Sequence, residues 1–150
     1  MKILITPSVK ETYKNQFDHL VDNRLIKFLS SAFSNAEIIV LNNTTNHKGF
    51  YDLLVLSGGN DLFKIKKEKS NYLRNEIDKK YVLNAIKRNI PILGICYGAQ
   101  FLSNMFGGKL VKTKNHVKTI HDIYFKNTEY SKKKKLRVNS FHNFAIINKK

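Results

Sequence analysis

Apolar positions along the chain change period repeatedly, and each change marks a switch between strand and helix. Lys2 to Thr6 is a short apolar run, after which Phe17, Leu20, Val21, Leu25, Phe28 and Leu29 recur at the spacing of one helix face. Glu37 to Leu41 returns to strand character, so the chain opens as a βαβ unit. After the polar loop Asn42 to Lys48, Asp52-Leu53-Leu54-Val55-Leu56 reads as a buried strand ending in the turn-rich cluster Ser57-Gly58-Gly59-Asn60-Asp61. The charged stretch Lys64 to Lys69 leads into a helix predicted from about Arg74 to Arg88. Pro91 to Cys96 is the next strand, followed by a helix around Ala99 to Phe106 that Gly107-Gly108 closes. His121 to Lys126, Leu136 to Ser140 and Phe144 to Asn148 read as shorter strands able to pair antiparallel. Strands separated by helices predict an α/β fold with a mostly parallel sheet covered on both faces. No repeat or linker interrupts residues 1–150, and one domain is expected.

Composition narrows the setting. At 150 residues and 42% hydrophobic content the chain can bury about two-thirds of its unfolded surface in a real core. No apolar run approaches the ~20 residues of a membrane-spanning helix. The N-terminal Met1-Lys2-Ile3-Leu4-Ile5-Thr6-Pro7 resembles a first strand more than an export signal. The single cysteine forms no internal disulfide, which suits a reducing cytoplasm. Formal charge is +16, and residues 109–150 hold 12 of the 27 Lys and Arg against only Asp122 and Glu129. That balance could attract nucleic acid, an anionic surface or a phosphate-bearing substrate. No aromatic is interleaved with Lys132-Lys133-Lys134-Lys135 to stack bases, so the run is read as a solvated loop and nucleic acid is disfavoured as a partner.

In an open α/β sheet, ligands bind beyond the carboxyl ends of the strands, and two strands deliver unusual sequences there. Gly94-Ile95-Cys96-Tyr97-Gly98 has the G-x-C-x-G form of a nucleophile elbow between a strand and a helix. The turn is so sharp that side chains at Gly94 and Gly98 would collide with neighbouring backbone, and Cys96 is expected to project from the turn with the helix N-terminus behind it. Unpaired N–H groups there favour the thiolate. The competing reading is an inert core cysteine; the strand, the two glycines and the helix together favour a nucleophile. An attacked carbonyl also needs donors for its developing oxyanion. The backbone N–H of Tyr97 is one candidate, and a second can come from Gly58 or Gly59, where the missing side chains let backbone approach a substrate.

Taken together, Leu56-Ser57-Gly58-Gly59-Asn60-Asp61-Leu62, Arg74, Pro91 to Gln100 and Val138-Asn139-Ser140-Phe141-His142-Asn143-Phe144-Ala145-Ile146 resemble class I glutamine amidotransferases. Within that superfamily they are most similar to the γ-glutamyl hydrolase, peptidase C26-like branch, which includes γ-glutamyl-γ-aminobutyrate hydrolase. The Ser-Gly-Gly-Asn-Asp-Leu and Asn-Ser-Phe-His-Asn-Phe-Ala segments are especially similar to γ-glutamyl-CDP-amidate hydrolases, which act in decorating bacterial surface polysaccharides. The resemblance implies a flavodoxin-like three-layer fold and attack by Cys96 on a glutamine or γ-glutamyl amide to give a thioester. It assigns Gly59 and Tyr97 to the oxyanion site and Gln100, with Gly58, to the glutamyl moiety. The segment His142-Asn143-Phe144 is assigned to the amino-acid end of the substrate.

Two departures stand out. An Arg-Asp-x-x-Glu pattern of the hydrolase branch appears here as Arg74-Asn75-Glu76-Ile77-Asp78. The family activates its cysteine with a His two residues before a Glu, and no His-x-Glu occurs among these 150 residues. Loss of a triad member is expected to cost on the order of 10⁴-fold. The chain is therefore expected to be a fragment, a natural truncation or a protein that no longer catalyses. His142 is the one plausible stand-in base, although structural support of the binding loop suits it better; His116 and His121 fall in a basic stretch after the elbow helix, and His19 and His47 sit on a helix and in a loop with no partner pattern. The His and Cys spacings match no zinc site, and neither metal nor cofactor is expected. Two classes follow: a γ-glutamyl amide hydrolase or the glutaminase half of an amidotransferase, completed by a C-terminal segment or a partner synthase, and a weakened glutamyl-binding or regulatory domain.

Overall fold

A computed structural model describes residues 1–125 and 135–147. They form two compact units, Met1–Phe106 and a second one beginning at Gly107. The first is built on a four-stranded, all-parallel sheet in the order β4-β1-β5-β6, with β1 at Lys2–Thr6, β4 at Glu37–Val40, β5 at Leu53–Leu56 and β6 at Ile92–Gly94. β5 is buried at all four positions, as a central parallel strand with both faces covered must be. Alternation along β1 and β5 sends Ile3, Ile5, Leu53 and Val55 to one face, where they pack with Leu29 of helix α1 (Asn23–Ala32). The opposite residues, Leu4, Thr6, Leu54 and Leu56, face helices α2 (Lys69–Lys87) and α3 (Tyr97–Met105). The result is the expected α/β three-layer arrangement.

One part of the opening differs from the periodicity. Phe17 and Leu20 lie on a strand rather than on the first helix: β2 (Ser8–Tyr13) and β3 (Gln16–Leu20) make an antiparallel hairpin between β1 and α1. Asn15 takes a positive φ of 62° at the hairpin turn, a conformation Asn tolerates better than most residues. Its N–H donates to the Glu11 carboxylate. The helix starts only after Asp22, whose carboxylate caps it by accepting from the Arg24 N–H at 2.8 Å.

Helix α2 is longer than predicted and begins five residues earlier, at Lys69. Its inward stripe, Asn71, Arg74, Ile77, Asp78, Tyr81, Val82 and Ala85, keeps helical spacing but is polar toward its N-terminal half. Helix α3 ends at Met105, with Phe106 as its C-cap, and Gly107 after it takes a φ of 83°.

In the second unit β7 (Lys109–Lys112) pairs antiparallel with β10 (Phe144–Ile147), and β8 (Val117–Tyr124) with β9 (Lys135–Phe141). The three predicted C-terminal strands are present and antiparallel, with β7 as an unforeseen fourth. Lys135 belongs to β9 rather than to a loop, ion-paired with Asp122 at 2.7 Å. Lys126, Glu129, Lys132 to Lys134 and Asn148 lie outside the described residues. Among the described residues no helix is long and apolar enough to cross a membrane.

Candidate active site

The site of the first unit is made by the sharp reversal after β6. Ile95 donates its N–H to Leu56, which holds the end of the strand in register, and α3 begins two residues later. Cys96 therefore has to turn the chain in one residue, and does so at φ 53° and ψ −108°. A non-glycine residue at such a φ is costly, and the surroundings must enforce it. The two glycines show how. A β-carbon on Gly94 would stand 2.7 Å from the backbone of Gly98 and Ala99, and one on Gly98 would stand 2.3 Å from the Leu56 carbonyl oxygen. Only glycine allows helix α3 to rest directly on β5, and that close approach pushes Cys96 outward as an exposed free thiol.

The loop after β5 supplies the other wall. A β-carbon at Gly58 would lie 3.3 Å from Cβ and 3.8 Å from Sγ of Cys96, so backbone alone flanks the thiol there. Gly59 has a φ of 108° and passes close to Ser8. Asn60 anchors the loop: its Oδ1 accepts from the Val9 N–H at 2.8 Å, and its Nδ2 donates to the Val9 carbonyl at 2.9 Å and to Asn71 Oδ1 at 3.0 Å. These contacts tie the loop to the hairpin and to α2. Above the thiol opens a cleft of about 600 Å³ bounded by Ser8, Leu20, Leu25, Phe28, Gly58 and Ile95. The Asp22 and Arg24 pair stands at its edge, 2.6 Å apart. Hydrogen bonds from Arg24 hold the Asp22 carboxyl well below its ordinary range, at about 2.

Beneath the loop lies a buried polar cluster. Arg74 is fully enclosed and donates from Nε to Asp78 at 2.7 Å, from Nη1 to Ser57 Oγ at 3.1 Å and to the Pro7 carbonyl, and from Nη2 to Thr6 Oγ1 at 3.1 Å and the Ser57 carbonyl at 2.9 Å. Its guanidinium also lies 4.8 Å from the centre of the Tyr97 ring. Burial pushes the Asp78 carboxyl up, while the Arg74 charge pulls the other way. Burial, then the charge of Asp78, pushes the Tyr97 phenol up, which keeps it neutral.

Of the residues singled out from the sequence, Gly58, Gly59 and Cys96 line one cleft. Tyr97 is the first residue of α3, with its ring buried. Gln100 follows one turn later, half-buried, its N–H donating to the Cys96 carbonyl at 3.1 Å. His142, Asn143 and Phe144 belong to the second unit. There Nδ1 of His142 donates to the Phe144 carbonyl at 3.1 Å, and the Asn143 carbonyl accepts from Thr113 at 2.8 Å. The His116 ring centre lies 5.0 Å from those of both His121, which it meets edge-on, and His142, against which it is tilted. Among the described residues no group of three His, Cys, Asp or Glu side chains is arranged to hold a metal. Sequence reasoning gave no role to Thr6, Ser57, Asn60, Asn71 or Asp78. The four-residue interval from Arg74 to Asp78 was the available signal, since a charged pair on an inward helix stripe must be satisfied internally.

Comparison with known proteins places the chain in a family and a fold. Residues 13–150 match the family model of glutamine amidotransferase class-I. Over 100 residues the chain is 34% identical to the γ-glutamyl-CDP-amidate hydrolase of Campylobacter jejuni, covering 67% of this chain and 46% of that protein. Over 72 residues it is 36% identical to a glutamine amidotransferase-like protein of Rickettsia prowazekii, covering 48% of this chain and 24% of the relative. The crystal structure of a Thermotoga maritima glutamine amidotransferase superposes with a TM-score of 0.65 at 18% identity, covering 97% of this chain and 62% of that one, and shares the fold. The matched stretches thus span less than half the length of these curated relatives. With a cysteine elbow set against a glycine loop at the carboxyl edge of a parallel sheet, and a family match over nearly all of its length, the chain belongs to the class I glutamine amidotransferases.

Proposed function

We propose that this chain carries the nucleophile of a hydrolase that cleaves a γ-glutamyl, glutamine-type amide through a Cys96 thioester. One observation carries the reading: an exposed thiol on a strained elbow, flanked by the bare backbone of Gly58. In the cycle, the thiolate Sγ attacks the side-chain carbonyl carbon and the π electrons move onto oxygen. The N–H groups of Gly59 and Tyr97 donate to that oxyanion. As the carbonyl re-forms, the C–N bond breaks and the amine leaves with a proton from a general acid. Water then adds to the thioester and passes a proton to a base. The C–S bond breaks, releasing the γ-carboxyl group of glutamate and restoring the thiolate, while the base, now protonated, is again the general acid. The cycle balances without a cofactor. Gln100 and Gly58 accommodate the glutamyl moiety.

The likeness to the Campylobacter protein favours γ-glutamyl-CDP-amidate as the substrate, and a net charge of +16 suits a leaving group that carries a diphosphate. A second reading is a glutamyl-binding or regulatory domain with weak catalysis, or a glutaminase passing ammonia to a synthase. These 150 residues contain no His-x-Glu, and the acid-base step of the proposed cycle is assigned to none of them. Mass spectrometry after incubation with diazo-oxo-norleucine tests the proposal. An adduct on Cys96, absent from Cys96→Ser and blocked by excess γ-glutamyl compound, supports the nucleophile and its pocket. A folded chain that takes no adduct supports the binding domain instead.

A further inference from the structure

Arg74 is a charged residue with no exposed surface, and all five of its N–H donors are used. Four of the five acceptors belong to the carboxyl ends of β1 and β5: Thr6, the Pro7 carbonyl, and the hydroxyl and carbonyl of Ser57. The fifth is Asp78, one helical turn along α2, which neutralises the guanidinium and fixes its plane. The Ser57 carbonyl and the Gly58 N–H are two ends of one peptide plane, so gripping the carbonyl orients the start of the glycine loop. The face of the guanidinium meets the Tyr97 ring, and Tyr97 follows the nucleophile directly. One rigid ion thus touches both segments that flank the thiol while sitting beneath them, away from the cleft lining.

We infer that the Arg74–Asp78 pair is a positioning device that fixes the Gly58–Gly59 loop relative to the Tyr97 turn, and so sets the spacing of the two oxyanion donors. This rests on the reading of Cys96 as an amide-cleaving nucleophile. Arg74 is a positioning residue: its effect should appear where charge develops on an oxygen and not in the reactivity of the thiol itself. A planar five-donor fork suits that task better than a lysine, whose ammonium is a point charge with three donors.

The test compares two reactions of Cys96 in the same chain. Acylation by the S-phenyl γ-thioester of glutamate passes through an oxyanion, and its thiophenolate leaves without a general acid. Alkylation by iodoacetamide forms no oxyanion. In Arg74→Lys, acylation is expected to fall on the order of 10²-fold, as when an oxyanion donor is lost or misplaced, with alkylation changed less than about threefold. Asp78→Asn, nearly isosteric, is expected to lower acylation about 10-fold with the same selectivity, and decides the matter if Arg74→Lys does not fold. Equal losses in both reactions, or none in either, overturn the positioning role. Wild-type protein that alkylates but acylates no faster than Cys96→Ser overturns the nucleophile reading, and this inference with it.

Discussion

Gly58 lies so close to Cys96 that a β-carbon placed on it would stand 3.3 Å from the cysteine Cβ. The two residues are 38 positions apart in sequence, and the parallel pairing of β5 with β6 brings them together. On the proposed function, the space that Gly58 leaves empty is the space a substrate needs beside the thiol. Gly58→Val should therefore slow modification of Cys96 by diazo-oxo-norleucine on the order of 10²-fold, and Gly58→Ala about 10-fold. Intact-mass kinetics on folded protein give the rates. Unchanged labelling of the valine variant would place the glutamyl pocket elsewhere.

Gly98 answers to packing rather than chemistry. An added methyl would press on the Leu56 carbonyl at 2.3 Å, backbone that cannot swing aside. Gly98→Ala is expected to destabilise the chain by about 3 kcal/mol, at the upper end of overpacking costs, through separation of α3 from β5. Urea unfolding measures it; a loss under about 0.5 kcal/mol, the range of ordinary surface changes, would show that the elbow relaxes freely.

Asn60 satisfies both backbone groups of the buried Val9 and also reaches Asn71. Asn60→Ala strands the Val9 N–H and carbonyl, at a cost of about 2–3 kcal/mol. The freed loop should also slow the labelling of Cys96. Stability and labelling that both match wild type would mean water replaces the amide without consequence.

Asp22 predicts an acid dependence. Its folded pKa, about 2, is depressed below the ordinary 3.8 by the hydrogen bonds from Arg24. Its contribution is therefore fully present above the ordinary value and is lost as pH falls through the folded one. The urea midpoints of wild type and Asp22→Asn should differ most near neutral pH and converge as pH approaches about 2. A gap that stays constant across that window would assign the cap a role independent of charge.

Much of the first unit was legible because its signals are local. The buried run Leu53–Leu56 identifies a central strand without reference to its partners. G-x-C-x-G identifies the elbow because the steric demands on Gly94 and Gly98 arise within a few residues of the turn. The hairpin Ser8–Leu20 was misread because Phe17, Leu20 and Val21 satisfy a helical interval equally well. There the turn at Asn15 and the cap at Asp22 outweigh the periodicity.

By itself, then, the sequence determined the alternating α/β order, the elbow at Cys96 and the family, since each is written in short-range pattern. Only tertiary structure decided that Gly58 flanks the thiol, that Asn60 locks the loop, and that Arg74 holds the ends of two strands. Those relationships depend on parallel strands whose pairing joins residues far apart in the chain. They also depend on burial, which turns an ordinary surface ion pair into one whose every donor must find an acceptor.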